Sequence, residues 1–206
     1  MYGEQHIDID VFRAAKLEDV DKFGDNDPYV FAFTNSLEKD DVKKGARTEV
    51  AKKGRNPNWN QQLHLKGVRA DALYLYIEVM DDETGIDEPI AFATIPLQQV
   101  RNANGQRLQG SFDLYNKDGR EHGALILGIR IRQPSEDPDD DEEGPHSEER
   151  RVSMVDEDHK ARFKKLVNKE HLGDAAQVVA AGAAAAAIFG AVFGGSKQKK
   201  AAPREQ

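Results

Sequence analysis

Val20-Asp21-Lys22-Phe23-Gly24-Asp25-Asn26-Asp27-Pro28-Tyr29 is a sharp acidic turn that runs straight into a strand. Asp21, Asp25 and Asp27 share one short segment, Gly24 permits a positive φ in its middle, and Pro28 sends the chain out extended. Residues 29–34, Tyr-Val-Phe-Ala-Phe-Thr, are that strand. Carboxylates crowded on a loop between strands repel one another, so the stretch reads either as a solvated turn or as half of a cation site.

Working outward, residues 6–14 alternate, with Ile7, Ile9 and Val11 on one face, and form a strand buried on one side. Residues 46–53 read as a third strand that carries Arg47, Lys52 and Lys53. The turn 54–59 ends in the only tryptophan, Trp59, which is read as a core anchor, and alternation resumes through Leu63 and Leu65. Residues 72–80 are apolar enough to be a central strand. A second carboxylate cluster, Asp81, Asp82, Glu83, Asp87 and Glu88, follows it and leads into a sixth strand at 89–97. Residues 109–116 and 123–132 supply the last two. Short strands joined by polar turns, with no amphipathic helix before residue 134, predict an all-β fold, an eight-stranded antiparallel β-sandwich. The two acidic loops, if they meet at one end of it, need a counter-ion.

Composition narrows the function. A length of 206 residues allows one domain with a sizeable core plus a tail, and 32% charged against 38% hydrophobic residues predicts that part of the chain is not packed. The absence of cysteine excludes disulfides, thiolate metal sites and a thiol nucleophile. A net charge of -8 argues against bulk nucleic-acid binding. Residues 1–8 carry no basic or apolar run, so no signal peptide is expected and the protein is read as cytoplasmic. The histidines, His6, His64, His122, His146, His159 and His171, are scattered without ligand spacing, and no glycine-rich phosphate cradle or nucleophile motif is present. A non-enzymatic role is expected.

Four separated motifs resemble a C2 domain: the first acidic loop from Leu17 to Val30, then Arg47-Thr48, then Asn56-Pro57-Asn58-Trp59-Asn60, and last Glu78-Val79-Met80-Asp81, in that family's order over residues 5–133. The resemblance implies an eight-stranded sandwich in its circularly permuted, type II form, because the first strand leads directly into the first acidic loop. It implies calcium-dependent binding to anionic phospholipid membranes. The implied calcium ligands are Asp21, Asp27, Asp81, Glu83 and Glu88. Glu83 stands where the family usually has Asp, the second loop is one residue shorter, and Ala91 replaces a glycine. Phe23 and Ile86 belong at the loop tips for shallow lipid insertion, and Lys52 and Lys53 for anionic headgroups. The rival reading is a calcium-independent sandwich that binds a protein partner.

Past the sandwich at 1–133, residues 134–148 form an acidic, self-repelling linker. Residues 149–173 are charged with a sparse apolar stripe, Met154, Phe163, Leu166 and Val167, which predicts a helix with a packing seam for a partner. Residues 174–206 hold an Ala/Gly-rich run, uncharged from 175 to 195, with a basic end at Lys197, Lys199 and Lys200. As a helix that run reaches about 31 Å, enough to cross a bilayer core, but it has few strongly apolar residues. A tail anchor and a self-associating or surface-lying helix both stay open.

Overall fold

The protein is described here from a computed structural model that covers residues 3–20, 25–51, 54–83, 86–136 and 147–167. Its strands are β1 (Glu4–Ala15), β2 (Pro28–Thr34), β3 (Ala46–Arg47), β4 (Asn58–Arg69), β5 (Tyr74–Asp81), β6 (Glu88–Pro96), β7 (Arg107–Tyr115), β8 (Glu121–Arg132) and the short β9 (Arg150–Arg151). Helices α1 (Lys39–Val42) and α2 (Leu97–Asn102) lie in connections, and α3 (Glu157–Val167) follows the last strand. The strands are ordered β3-β2-β5-β6-β7-β8-β1-β4, and β6 and β7 meet only through Phe92 opposite Tyr115. That thin link is where the sheet folds into two antiparallel layers. Ile7, Ile9 and Val11 of β1, Ile77 and Val79 of β5, and Leu125, Leu127 and Ile129 of β8 fill the space between them. Alternation in β1 and β4 and the apolar run of β5 thus produce the sandwich predicted from sequence.

Two local departures have physical causes. The third strand, expected over 46–53, stops at Arg47. The Thr48 hydroxyl accepts the Val30 N–H at 3.0 Å, so a side chain takes over the bond a ladder carbonyl would make. The chain still follows β2, with Thr48 N–H donating to Val30 O and Ala51 N–H to Pro28 O, both at 2.9 Å. Helices α1 and α2 are four and six residues long, too short to show an amphipathic period.

The C-terminal segment adds a layer. Every residue of β2 is buried, including Tyr29, Phe31 and Phe33, which point away from the sandwich core. Tyr76 and Met80 of β5 and Phe92 of β6 share that outer face, and α3 covers it. Phe163 lies 5.0 Å from Phe92 between ring centroids, and His159 meets the edges of Tyr76 and Phe92 at 5.0 Å. In the middle of this apolar face sits Glu78, fully buried. Arg162 donates to it from Nε at 3.0 Å and Nη2 at 3.3 Å, His159 Nε2 lies 3.4 Å from the same carboxylate, and His159 Nδ1 is 2.9 Å from the Thr94 hydroxyl. Upstream, β9 pairs in parallel with β7, and Met154 forms a two-bond bridge with Thr94. Gly110 of β7 makes room for that strap, since a Cβ there would strike Glu149 O and the Arg151 side chain. The seam of Phe163 and Leu166 is therefore filled by the protein's own sheet.

Two buried carboxylates make the fold acid-sensitive. Burial pushes the Glu78 carboxyl up, but Arg162 and His159 outweigh it and hold it below its ordinary value of 4.5. Burial likewise raises Asp8, and the Arg132 guanidinium, at 2.6 Å, together with His64, at 2.8 Å, outweighs it to hold Asp8 below 3.8. A carboxyl depressed in the folded state contributes stability that is fully present above its unfolded value and is lost as pH falls through the folded one. Urea unfolding of the full chain across pH should show this contribution level near neutrality and declining from pH 4.5 downward. Stability that rises below that pH contradicts the assignment.

Candidate functional site

Three connections, β1–β2, β3–β4 and β5–β6, converge at one end of the sandwich. Asn26 organises the first. Its side chain accepts from Val20 N–H at 3.1 Å and donates to Glu18 O at 2.7 Å, and its backbone carbonyl accepts the Gly54 N–H of the β3–β4 connection at 2.9 Å. Buried Asn26 thus ties two loops with one residue. Trp59 clamps the same junction from the core, its indole N–H donating to Pro28 O at 3.2 Å.

The two acidic loops are stitched together by their own acids. Asp27 N–H donates to Asp81 Oδ1 at 2.6 Å, and Asp82 N–H donates back to Asp27 O at 3.1 Å. Asp81, the last residue of β5, pairs in register with Pro28 on one side and Glu88 on the other. Across the second loop, Asp87 accepts the Glu83 N–H at 3.3 Å and the Tyr29 hydroxyl at 2.7 Å. Burial, and then the Asp87 carboxylate, push the Tyr29 phenol well above its ordinary value of 10.0, so Tyr29 stays a proton donor. Arg47 stands 4.7 Å from its ring. The outer-face aromatic layer and the second acidic loop are therefore linked through one side chain.

Of the residues singled out from sequence, Asp27 and Asp81 are joined through the Asp27 N–H, and Glu88 stands opposite Asp81 in the sheet. Glu83 is exposed on the loop, tied to Asp87 through its backbone, and Ile86 projects with 41% of its surface exposed. Asp21, Phe23, Lys52 and Lys53 lie outside the described residues, as does the apolar run 175–195. Asn26, Tyr29 and Asp87 were missed. Asp87 had a signal: it stands six residues after Asp81, the same interval that separates Asp21 from Asp27.

The donor set is carboxylate and backbone oxygen throughout, the chemistry of a hard divalent cation such as calcium. Among the described residues no three acidic or histidine side chains form a metal-holding group by themselves. Beside the loops lies a cavity of about 440 Å³ whose walls include Glu18, Asp19, Ile86, Glu88, Lys117 and Leu166. It therefore has an acidic rim, an apolar side, and the end of α3 as a wall.

An antiparallel sandwich with paired acidic loops at one end defines a class, and comparison with known proteins supplies the family. A sequence model of the C2 domain matches residues 5–114. The chain belongs to the C2 domain family. It is similar to Synaptotagmin-7 of Mus musculus, 29% identical over 132 residues that make up 62% of this chain and 32% of that protein. It is 24% identical over 130 residues to the "Calcium-dependent lipid-binding protein" of Arabidopsis thaliana, covering 61% of this chain and 24% of the relative. The chain thus spans about a quarter to a third of these curated relatives. Among solved structures, a C2 domain of plant Extended Synaptotagmin 1 superposes with a TM-score of 0.52 at 20% identity, covering 66% of this chain and all of that one. Human GIVD cytosolic phospholipase A2 superposes with a TM-score of 0.51 at 14% identity over 66% of this chain, but only 18% of the phospholipase is covered. These superpositions show a shared sandwich.

Proposed function

We propose that the protein is a non-catalytic membrane-binding module that docks its loop end on anionic phospholipid in response to calcium. The observation that carries this reading is the pair of bonds joining Asp27 to Asp81 and Asp82, which brings two like-charged loops into contact. The name of its Arabidopsis relative, a calcium-dependent lipid-binding protein, points the same way. Asp21, Asp27, Asp81, Glu83 and Glu88 are the proposed ligands, with Asp87 added from its place in the loop. When bound, calcium supplies positive charge and open coordination positions for lipid phosphate or carboxylate oxygens. Tyr29 fixes Asp87, and the Asp27 N–H fixes Asp81, so these two acids are held in place before the cation arrives. Ile86 and Phe23 are the proposed apolar contacts, each worth roughly 1.5–3 kcal/mol if fully buried in lipid. Lys52 and Lys53 are the proposed headgroup contacts. Localisation is peripheral on this reading; among the described residues no helix is long and apolar enough to cross a membrane.

Ile86→Trp tests the orientation. Trp59 is buried and bonded to Pro28, so it gives a constant background. With phosphatidylserine vesicles, calcium should shift the emission of the new indole to the blue, and chelation should reverse it. An emission maximum unmoved by calcium means that this loop does not face lipid.

A further inference from the structure

We propose that a second pocket at the same end, formed by Lys16, Arg55, Asn56 and His122, binds a phosphate group independently of calcium. The pocket has a volume of about 440 Å³ and is also lined by Glu121 and Gly123. It sits where the end of β1, the β3–β4 connection and the start of β8 meet, and four hydrogen bonds fix two of its walls. Ala14 N–H donates to Pro57 O at 3.0 Å, Lys16 N–H to Asn56 Oδ1 at 3.0 Å, Leu17 N–H to Arg55 O at 2.9 Å, and Arg55 Nε to Leu17 O at 2.8 Å. The third wall depends on Gly123, whose φ of 87° and close approach exclude a side chain: a Cβ would come within 2.8 Å of Ala15 O and 2.9 Å of Lys16 O. Lys16 itself takes a left-handed φ of 58° at this junction.

The donors are held ready. The Arg55 bond to Leu17 uses only Nε, which leaves its Nη groups for a ligand. The bond from Lys16 N–H uses the oxygen of the Asn56 amide, which leaves its NH₂ as a donor. His122 Nε2 is buried with no hydrogen-bond partner among the described residues. The acid in the lining, Glu121, is paired with Arg150 at 3.0 Å. Two cations, an imidazole and an amide around one opening match the four oxygens and double charge of a phosphate better than a carboxylate. This site needs none of the acidic loop residues, so it stands or falls apart from the calcium reading.

The test uses the full chain in EGTA and follows backbone amide NMR shifts. Inorganic phosphate, titrated at constant ionic strength, should move Lys16, Arg55 and Gly123 saturably. Vesicles of phosphatidylcholine with phosphatidic acid form the second arm. Pelleting with them, at lipid phosphate concentrations where inorganic phosphate does not compete, identifies a lipid headgroup as the source; saturation by inorganic phosphate without pelleting identifies a soluble phosphate. Lys16→Gln, at an exposed position, and His122→Gln should each weaken binding about tenfold. Lys117→Gln, at the same end but in the other cavity, should leave it unchanged. No saturable shift with inorganic phosphate together with no pelleting overturns the proposal, as does an equal loss in Lys117→Gln and Lys16→Gln, which would indicate diffuse charge attraction.

Discussion

Asp81→Asn should lower calcium affinity at least about tenfold while leaving the fold intact, because ligand charge sets affinity at oxygen sites. Asp81 is the hinge of the proposed site: it ends β5, is buried, and accepts the Asp27 N–H through one carboxylate oxygen. Asparagine keeps an oxygen for that bond and removes only the negative charge, so loop geometry survives and cation binding does not. Calorimetric titration of calcium into both proteins, with a thermal melt as the folding control, reads the effect. Wild-type affinity in the variant removes Asp81 from the ligand set. If a protein partner is found and still binds the variant, the sandwich serves that partner without calcium.

Phe163→Ala should cost about 3–5 kcal/mol of unfolding free energy, the loss typical of a fully buried aromatic side chain truncated to a methyl. Phe163 has no exposed surface and packs on Phe92, beside the ring of His159. Arg162→Met should be of similar size for a different reason, since it strands the Glu78 carboxylate inside the sheet face without its guanidinium. Urea unfolding of each full-length variant measures both. A cost under about 1 kcal/mol for Phe163→Ala would mean that α3 is not part of the cooperative fold.

Much of the sandwich could be read from residues 6–14 and 72–80, because alternation and a mostly apolar run each have one favourable burial pattern in a sheet. That the two acidic loops, once paired, call for a counter-ion followed from charge repulsion alone. What escaped was held by single side chains. Thr48 replaced a ladder bond, Asn26 tied two loops, and Tyr29 reached Asp87; no periodic pattern announces any of them. The outer layer had one clue in each partner. Glu78 interrupts an otherwise apolar strand, and the stripe of α3 is sparse because part of its sheet-facing side is made of His159 and Arg162. A charged residue in a central strand signals a covering element that carries the opposite charge.

Co-sedimentation of the full chain with phosphatidylserine-containing vesicles, in calcium and in EGTA, tests the central claim most directly. The loop geometry predicts a pelleted fraction that rises with calcium and falls back on chelation, with Asp81→Asn remaining in the supernatant. Equal pelleting in calcium and EGTA, or none in either, contradicts it.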